Sequence, residues 1–298
     1  MPDSQQEFLI ATKNRTFVPL DSPEQEEWQG SFTFIQAADT QLGLQERYVE
    51  KLTSPGWSKE IAWTKQMVRD INLMSPPPKF LVICGDLIDA YPYPDQEDTR
   101  KMQESDLKKE LTALNIPLVC VCGNHDVGDS PTAATVHTYR ASFGDDYFSF
   151  FCGGVYFLAV NSQYWEDSTQ CQDLAAQHEA WLDARLAEVK AKEPLHVVVF
   201  QHIPLFISDI DEPKQYFNIQ PKLRKEILDK FKKAGVKYIF CGHYHRNAGG
   251  KYGDLELVVT SAVGAQLGHD DHGYRVVRVT KEKLDHQYCS LGTTHVQK

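Results

Sequence analysis

Residues 80–89 read FLVICGDLID, five apolar residues that stop at Gly85 and hand the chain to Asp86. An apolar run this short, with Pro76 to Pro78 before it and glycine after it, reads as a strand buried on both faces. The same grammar recurs four times. SFTFIQAAD ends at Asp39, LVCVCGNHD ends at Asn124, His125 and Asp126, HVVVFQH ends at His202, and VKYIFCGHYH ends at His243 and His245. In folds of alternating strands and helices, the loops after strand C-termini converge on one sheet edge and build the site there. Any one of these aspartates alone reads as a turn or cap residue. Five strand ends carrying Asp, Asn or His together point to metal-ligand chemistry.

Between these runs the pattern turns helical. Apolar positions at helical spacing predict helices over 58–74, 98–114, 172–192 and 221–234. Gly153-Gly154 between two apolar runs predicts a hairpin of 147–152 with 155–160. Strands are expected over 255–263 and 274–279, with a fraying tail beyond. Residues 1–30 are polar and carry an acidic run at Glu24, Glu26 and Glu27, so they read as an N-terminal extension. Residues 31–298 read as a single domain, because no repeat or long linker interrupts them.

The chain has 298 residues, 42% of them hydrophobic, enough for a substantial core without staples. Lys and Arg number 31 against 41 Asp and Glu, a net charge of -10, which disfavours nucleic acid as a partner. The seven cysteines are odd in number, form no CxxC pair and mostly sit in apolar runs, so they read as buried free thiols. The N-terminus lacks an apolar signal core and no apolar run is long enough to span a bilayer. The expectation is a cytoplasmic protein without a membrane partner, and a monomer.

The ordered blocks Asp39-Thr40-Gln41, Gly85-Asp86-Leu87-Ile88-Asp89, Gly123-Asn124-His125-Asp126, His202 and Gly242-His243-Tyr244-His245 resemble the calcineurin-like metallophosphoesterase superfamily over about 31–263. The stretches IQAADTQLGL, VCGNHDVG and FQHIPLF look most like the calcineurin-like phosphoesterase domain-containing protein 1 family. The resemblance implies an α/β (α+β) fold of two packed mixed β-sheets flanked by helices in four layers; the strand–helix alternation alone does not separate this from a doubly wound sheet. It implies two divalent metal ions. Asp39, Asp86 and His245 would hold the first, and Asp86, Asn124, His202 and His243 the second, with water activated between them for attack on phosphorus. His125 would face the substrate as general acid, with Asp126 fixing its other ring nitrogen. Asp89 would support the loop, and Asn161, Gln201, Tyr244 and Arg246 are weak candidates for the pocket wall.

Gln41 stands where the superfamily carries His. An amide oxygen there would tilt the first site toward Mg²⁺ or Mn²⁺ and away from Zn²⁺ or Fe³⁺. Phosphoprotein phosphatases of the superfamily carry Arg at the positions of Ala90 and Cys122, so the chain departs from that branch. The named family is nonetheless one of protein serine/threonine phosphatases, which implies hydrolysis of phosphomonoesters on a phosphorylated protein. A phosphodiesterase acting on cyclic nucleotides or other small molecules is the alternative, and a non-catalytic metal-binding scaffold is a third reading, supported by Gln41 alone. The acidic stretch 208–220 follows the His202 strand and either rims the site or is a solvated loop.

Overall fold

The computed structural model describes residues 7–293. In chain order it contains β1 (Thr12–Lys13), β2 (Thr16–Phe17), β3 (Phe32–Ala37), α1 (Ser58–Asn72), β4 (Leu81–Cys84), α2 (Glu97–Leu111) and β5 (Leu118–Val121). There follow α3 (Asn124–Val127), α4 (Ala133–Phe143), β6 (Phe148–Cys152), β7 (Val155–Ala159), α5 (Gln163–Glu166), α6 (Gln172–Lys192) and β8 (His196–Phe200). The chain closes with α7 (Pro221–Lys233), β9 (Tyr238–Cys241), β10 (Ala248–Tyr252), β11 (Leu255–Val259), β12 (Gly273–Val279) and β13 (Leu284–Ser290).

Two mixed sheets form, ordered β1-β2-β6-β7-β8-β9-β11-β10 and β13-β12-β3-β4-β5. Side-chain alternation along each apolar strand sorts the core into three slabs. Ile35, Leu81 and Ile83 face outward against Met67, Ile71 and Leu107 of α1 and α2. Val197, Val199 and Ile239 face outward against Leu182, Leu186 and Leu228 of α6 and α7. The alternate residues, among them Phe34, Phe80, Val82, Phe157, Phe200 and Phe240, fill the space between the sheets. Phe34 stacks on Phe80 with ring centroids 5.0 Å apart and meets Phe157, Phe200 and Phe240 edge-on at 5.5, 5.8 and 5.9 Å. Each such pair adds about 0.5–1.5 kcal/mol beyond its area burial. The result is helix, sheet, sheet, helix, the four layers that the resemblance implied.

Four segments differ from the sequence expectations, the first being β10, a strand at Ala248–Tyr252 that carries two glycines. The tail does not fray over 284–290: it is β13, paired antiparallel with β12 along seven residues. Its alternation of Leu284, His286 and Tyr288 with Asp285 and Gln287 hides a strand exposed on one face. Helix α4 was not expected; it carries no strong apolar stripe and starts from Thr132, whose Oγ1 accepts the Thr135 N–H at 3.2 Å. Within residues 1–30, β2 pairs in parallel with β6, and Phe17 is fully buried between the sheets.

Asp146 holds this N-terminal hairpin to the rest. Its carboxylate accepts from Arg15 Nη1 and Arg140 Nε, both at 2.7 Å, from Tyr164 Oη at 2.8 Å and from Asn161 Nδ2 at 3.1 Å. Burial alone would raise the Asp146 carboxyl, but Arg140 and Arg15 outweigh it and hold the group below the usual carboxylate range. A folded-state pKa below the unfolded one contributes stability above about pH 4, and that stability is lost as pH falls through the folded value. Asp146→Asn should therefore cost about 3 kcal/mol at pH 7, since it leaves two guanidiniums facing an uncharged buried group. Thermal melts at pH 7 and pH 3 check this; the deficit should shrink in acid, and an equal deficit at both values contradicts the ionic role.

Candidate metal centre

The ends of β3, β4, β5, β8 and β9 meet at one edge of the two sheets. The segment after β3 is tied to β4 through Asp39 N–H to the Gly85 carbonyl at 3.0 Å and Gln41 N–H to the Asp86 carbonyl at 3.0 Å. The His243 N–H from the end of β9 donates to Asp39 Oδ2, also at 3.0 Å, which joins the second sheet to the first. Among the described residues, Asp39, Gln41, Asp86, His243 and His245 are five of the nine non-glycine residues with positive φ. Such backbone strain, of order 1–3 kcal/mol each, persists where the surroundings over-determine the conformation, and it clusters at functional sites. The motif glycines follow from crowding: a Cβ at Gly123 would fall on Asp86 Oδ1, and one at Gly242 on Asp39 Oδ2 and Ala38 Cβ.

The side chains then gather as two donor groups that share Asp86, one with Asp39 and His245 and the other with His202 and His243; all are buried. Each histidine is oriented by a backbone carbonyl. His202 Nδ1 lies 2.8 Å from the Cys84 carbonyl, His243 Nε2 3.3 Å from the Tyr216 carbonyl, and His245 Nδ1 2.6 Å from the Ala265 carbonyl. With those nitrogens protonated, the opposite ones carry lone pairs. His202 Nε2 then faces His243 Nδ1 at 3.1 Å, Asn124 Oδ1 at 3.1 Å and Asp86 Oδ2 at 3.3 Å. His245 Nε2 faces Asp39 Oδ1 at 3.5 Å. The Asn124 amide is turned by its Nδ2, which donates to Asp129 Oδ1 at 2.9 Å. Lone pairs pointed at one another among buried side chains repel unless a cation lies between them.

Two further observations fit cations. Gln41 Oε1 is buried and has no hydrogen-bond partner among the described residues. The titrating groups also compete for protons. Burial pushes the Asp39 carboxyl well above its usual range, countered by His202 and reinforced by Asp86. For His202, burial opposes the charge, but Asp86 and Asp39 outweigh it and raise the imidazole to about 9. For Asp86, burial acts upward, but His202 and His125 hold the carboxyl below its usual range. Burial lowers His245 to about 4, and burial with His202 takes His243 well below its ordinary value. The residues present therefore fit two divalent cations, with Asp86 common to both.

His125 lines the cleft over this cluster together with Gln41, Asp86, His243 and His245. Its N–H donates to Asp86 Oδ1 at 3.0 Å and its Nδ1 lies 2.5 Å from the Asp89 carbonyl. Asp126 does not pair with the His125 ring. Its carboxylate accepts the Gly123 N–H at 2.7 Å and the Leu87 N–H at 3.1 Å, pinning two motif loops together, and burial with the neighbouring Asp86 raises it to about 7. Asp89 thus has the orienting role assigned to Asp126, because α3 turns the Asp126 side chain away from the cleft. Asn161 is fully buried on Asp146 and is no part of the cleft wall. Gln201 is buried against the Ile203 carbonyl. Arg246 folds back on the carbonyls of Tyr244 and Leu267 and over the Tyr244 ring at 4.7 Å, so neither residue lines the cleft.

Sequence reasoning did not single out Arg47, Tyr48, Tyr91, Tyr216 and Phe217, which line the cleft. Tyr216 and Phe217 lie in the 208–220 stretch, so that loop rims the site. The loop is shaped by Arg224, fully buried on α7, which donates to the carbonyls of Ile210, Glu212 and Ile219.

Residues 32–247 match the family model described as calcineurin-like phosphoesterase. The chain is 48% identical over 285 residues to the human protein named serine/threonine-protein phosphatase CPPED1, covering 94% of this chain and 90% of that one. The mouse protein of the same name is 47% identical over 284 residues, with the same coverage. Among solved structures, a dimetal phosphatase from Danio rerio superposes with a TM-score of 0.64 at 16% identity, covering 87% of this chain and 96% of that one. A purple acid phosphatase from yellow lupin superposes with a TM-score of 0.62 at 14% identity, covering 93% and 54%. These two likenesses show the fold.

Divalent cations must displace the His202 proton below pH 9, so Mn²⁺ affinity should rise about tenfold per pH unit between pH 6 and 8 for each proton released. Calorimetric titration in buffers of different ionisation enthalpy measures that release; a pH-independent affinity contradicts the donor assignment. Asp86→Asn should weaken both sites by more than ~100-fold, since one carboxylate serves both. Gln41→His should shift preference toward Zn²⁺; an unchanged order of metals means that residue 41 is not a ligand.

Proposed function

The chain belongs to the calcineurin-like phosphoesterase family, and we propose that it hydrolyses phosphomonoesters on phosphoserine and phosphothreonine of proteins. The observation that carries this is the convergence of Asp39, Asp86, His202, His243 and His245, with Asn124 against His202, beneath a cleft that also holds Gln41 and His125. When bound, two divalent cations supply Lewis acidity toward phosphoryl oxygens and a nucleophile generated from water at neutral pH.

The chain's own residues do the rest. Asp39 and Asp86 return two negative charges to the centre, which leaves it attractive to a phosphate dianion within an acidic protein. The Asp89 carbonyl fixes His125 Nδ1 and leaves Nε2 as the ring nitrogen in the cleft wall. There a proton on Nε2 hydrogen-bonds a phosphoryl oxygen or passes to the departing alkoxide of serine or threonine. The Tyr216 carbonyl holds His243, and the Tyr91 and Tyr216 hydroxyls accept from Asn124 Nδ2, so the same rim that meets the substrate also orients two ligands. The cleft, about 410 Å³, opens between Leu44, Tyr48, Tyr91, Tyr216, Phe217 and Leu267. Tyr48 and Tyr216 remain 57% and 59% exposed there, which suits a polypeptide lying across the mouth.

The metals we assign are Mn²⁺ or Mg²⁺, on the strength of four oxygen donors, Asp39, Gln41, Asp86 and Asn124. We place the protein in the cytoplasm as a monomer; seven free cysteines, all buried, suit a reducing compartment. No described helix is long and apolar enough to cross a membrane, and the net charge of -10 argues against nucleic acid as a partner.

Metal-stripped protein reloaded with Mn²⁺, Mg²⁺ or Zn²⁺ should release phosphate from a phosphoserine peptide and an aryl phosphomonoester. Turnover of an aryl phosphodiester alone would contradict the phosphomonoesterase reading and favour a phosphodiesterase. His125→Ala should lower kcat by ~10²–10⁴-fold while the metal content stays the same; retained turnover removes His125 from the mechanism.

A further inference from the structure

The cleft over the donor cluster is lined by one Lys or Arg among the described residues, Arg47. It sits on a single π-type turn, Gln45–Val49, that follows Gln41. The turn is fixed from below by Glu60 of α1, fully buried, whose Oε1 accepts the Gly43 N–H at 3.2 Å and the Gln45 N–H at 2.8 Å. The guanidinium is then gripped in a fork by Asp89, with Nε to Oδ2 at 2.5 Å and Nη2 to Oδ1 at 2.8 Å. Two of its five N–H bonds are used in this way, and the other three have no partner among the described residues. The Arg47 side chain is 48% exposed, whereas Asp89 is only 4% exposed, so the pair turns its free donors outward.

The same Asp89 holds His125 Nδ1 through its carbonyl. One residue therefore holds both the guanidinium and the imidazole; Arg47 and His125 both line the cleft, and Arg47 also borders the adjoining hollow lined by Asp89, Trp57 and Gln103. A planar guanidinium with spare donors matches the non-bridging oxygens of a phosphate dianion. A phosphodiester offers one fewer anionic oxygen and gains less from it.

We propose that Arg47 is the substrate-binding residue that grips the phosphoryl group and favours phosphomonoesters over phosphodiesters. This rests on the phosphomonoesterase reading for its substrate, but its core claim, a phosphate grip at Arg47, does not depend on turnover.

The experiment uses full-length, Mn²⁺-loaded protein and inorganic phosphate as the probe, followed by calorimetry alongside steady-state kinetics. Arg47→Gln should weaken phosphate binding roughly 10- to 100-fold and raise KM for an aryl phosphomonoester in proportion, with metal content retained. Arg47→Lys, which keeps the charge without the fork, should recover part of that loss. Unchanged phosphate affinity in Arg47→Gln overturns the proposal. So does a fall in kcat on mono- and diester alike with a displaced pH profile and unaltered phosphate affinity, because Arg47 would then act only by positioning Asp89 and His125. If the wild type binds phosphate through Arg47 yet turns over no phosphomonoester, the functional reading fails and the phosphate grip stands.

Discussion

The Asp86 carboxylate lies at the point where both sheets end, and the surrounding structure is arranged around it. Its Oδ1 accepts the His125 N–H, its Oδ2 lies against His202 Nε2, and it belongs to both groups of converging donors. A carboxylate this deeply buried is costly to charge without compensation. The compensation comes from imidazoles when the centre holds protons and from divalent cations when they are bound. Much of the local architecture follows from keeping those partners within reach: left-handed backbone at Asp39, Gln41, Asp86, His243 and His245, glycines where a Cβ would collide, and three histidines fixed by backbone carbonyls.

A rigid scaffold has to absorb that strain. The phenylalanine layer between the sheets and the helices packed outside them provide it, and hold the C-terminal ends of β3, β4, β5, β8 and β9 together. The scaffold reaches into the N-terminal segment through Phe17 and the Arg15–Asp146 pair. The cleft rim is built differently. Its residues come from a π-type turn, the loop carrying Tyr91, and the 208–220 loop, each fixed by a buried charged group reaching loop backbone or side chain: Glu60, Asp89 and Arg224.

The centre was legible because strands buried on both faces are written as short apolar runs, and the ligand types follow them at once. Asp39, Asp86, Asn124, His202, His243 and His245 could be read off in that way and ordered by the family pattern. The elements that escaped lack such a signal. Strand β13 alternates with polar residues, β10 carries two glycines, and α4 depends on a Thr132–Thr135 cap more than on an apolar stripe. Asp126 and Asp89 exchanged roles because spacing within Gly123-Asn124-His125-Asp126 does not reveal that the turn of α3 points Asp126 at the backbone of Leu87 and Gly123. Arg47 and Tyr216 lie in irregular loops, where no periodicity tells which side chain turns inward.

The central claim is that one carboxylate joins two metal positions beneath the cleft. The most direct test is titration of metal-stripped protein with Mn²⁺, followed by electron paramagnetic resonance. Two equivalents should bind, and the second should replace the isolated-ion signal with that of an exchange-coupled pair. Saturation at one equivalent, or two magnetically independent ions, would contradict a centre bridged by Asp86.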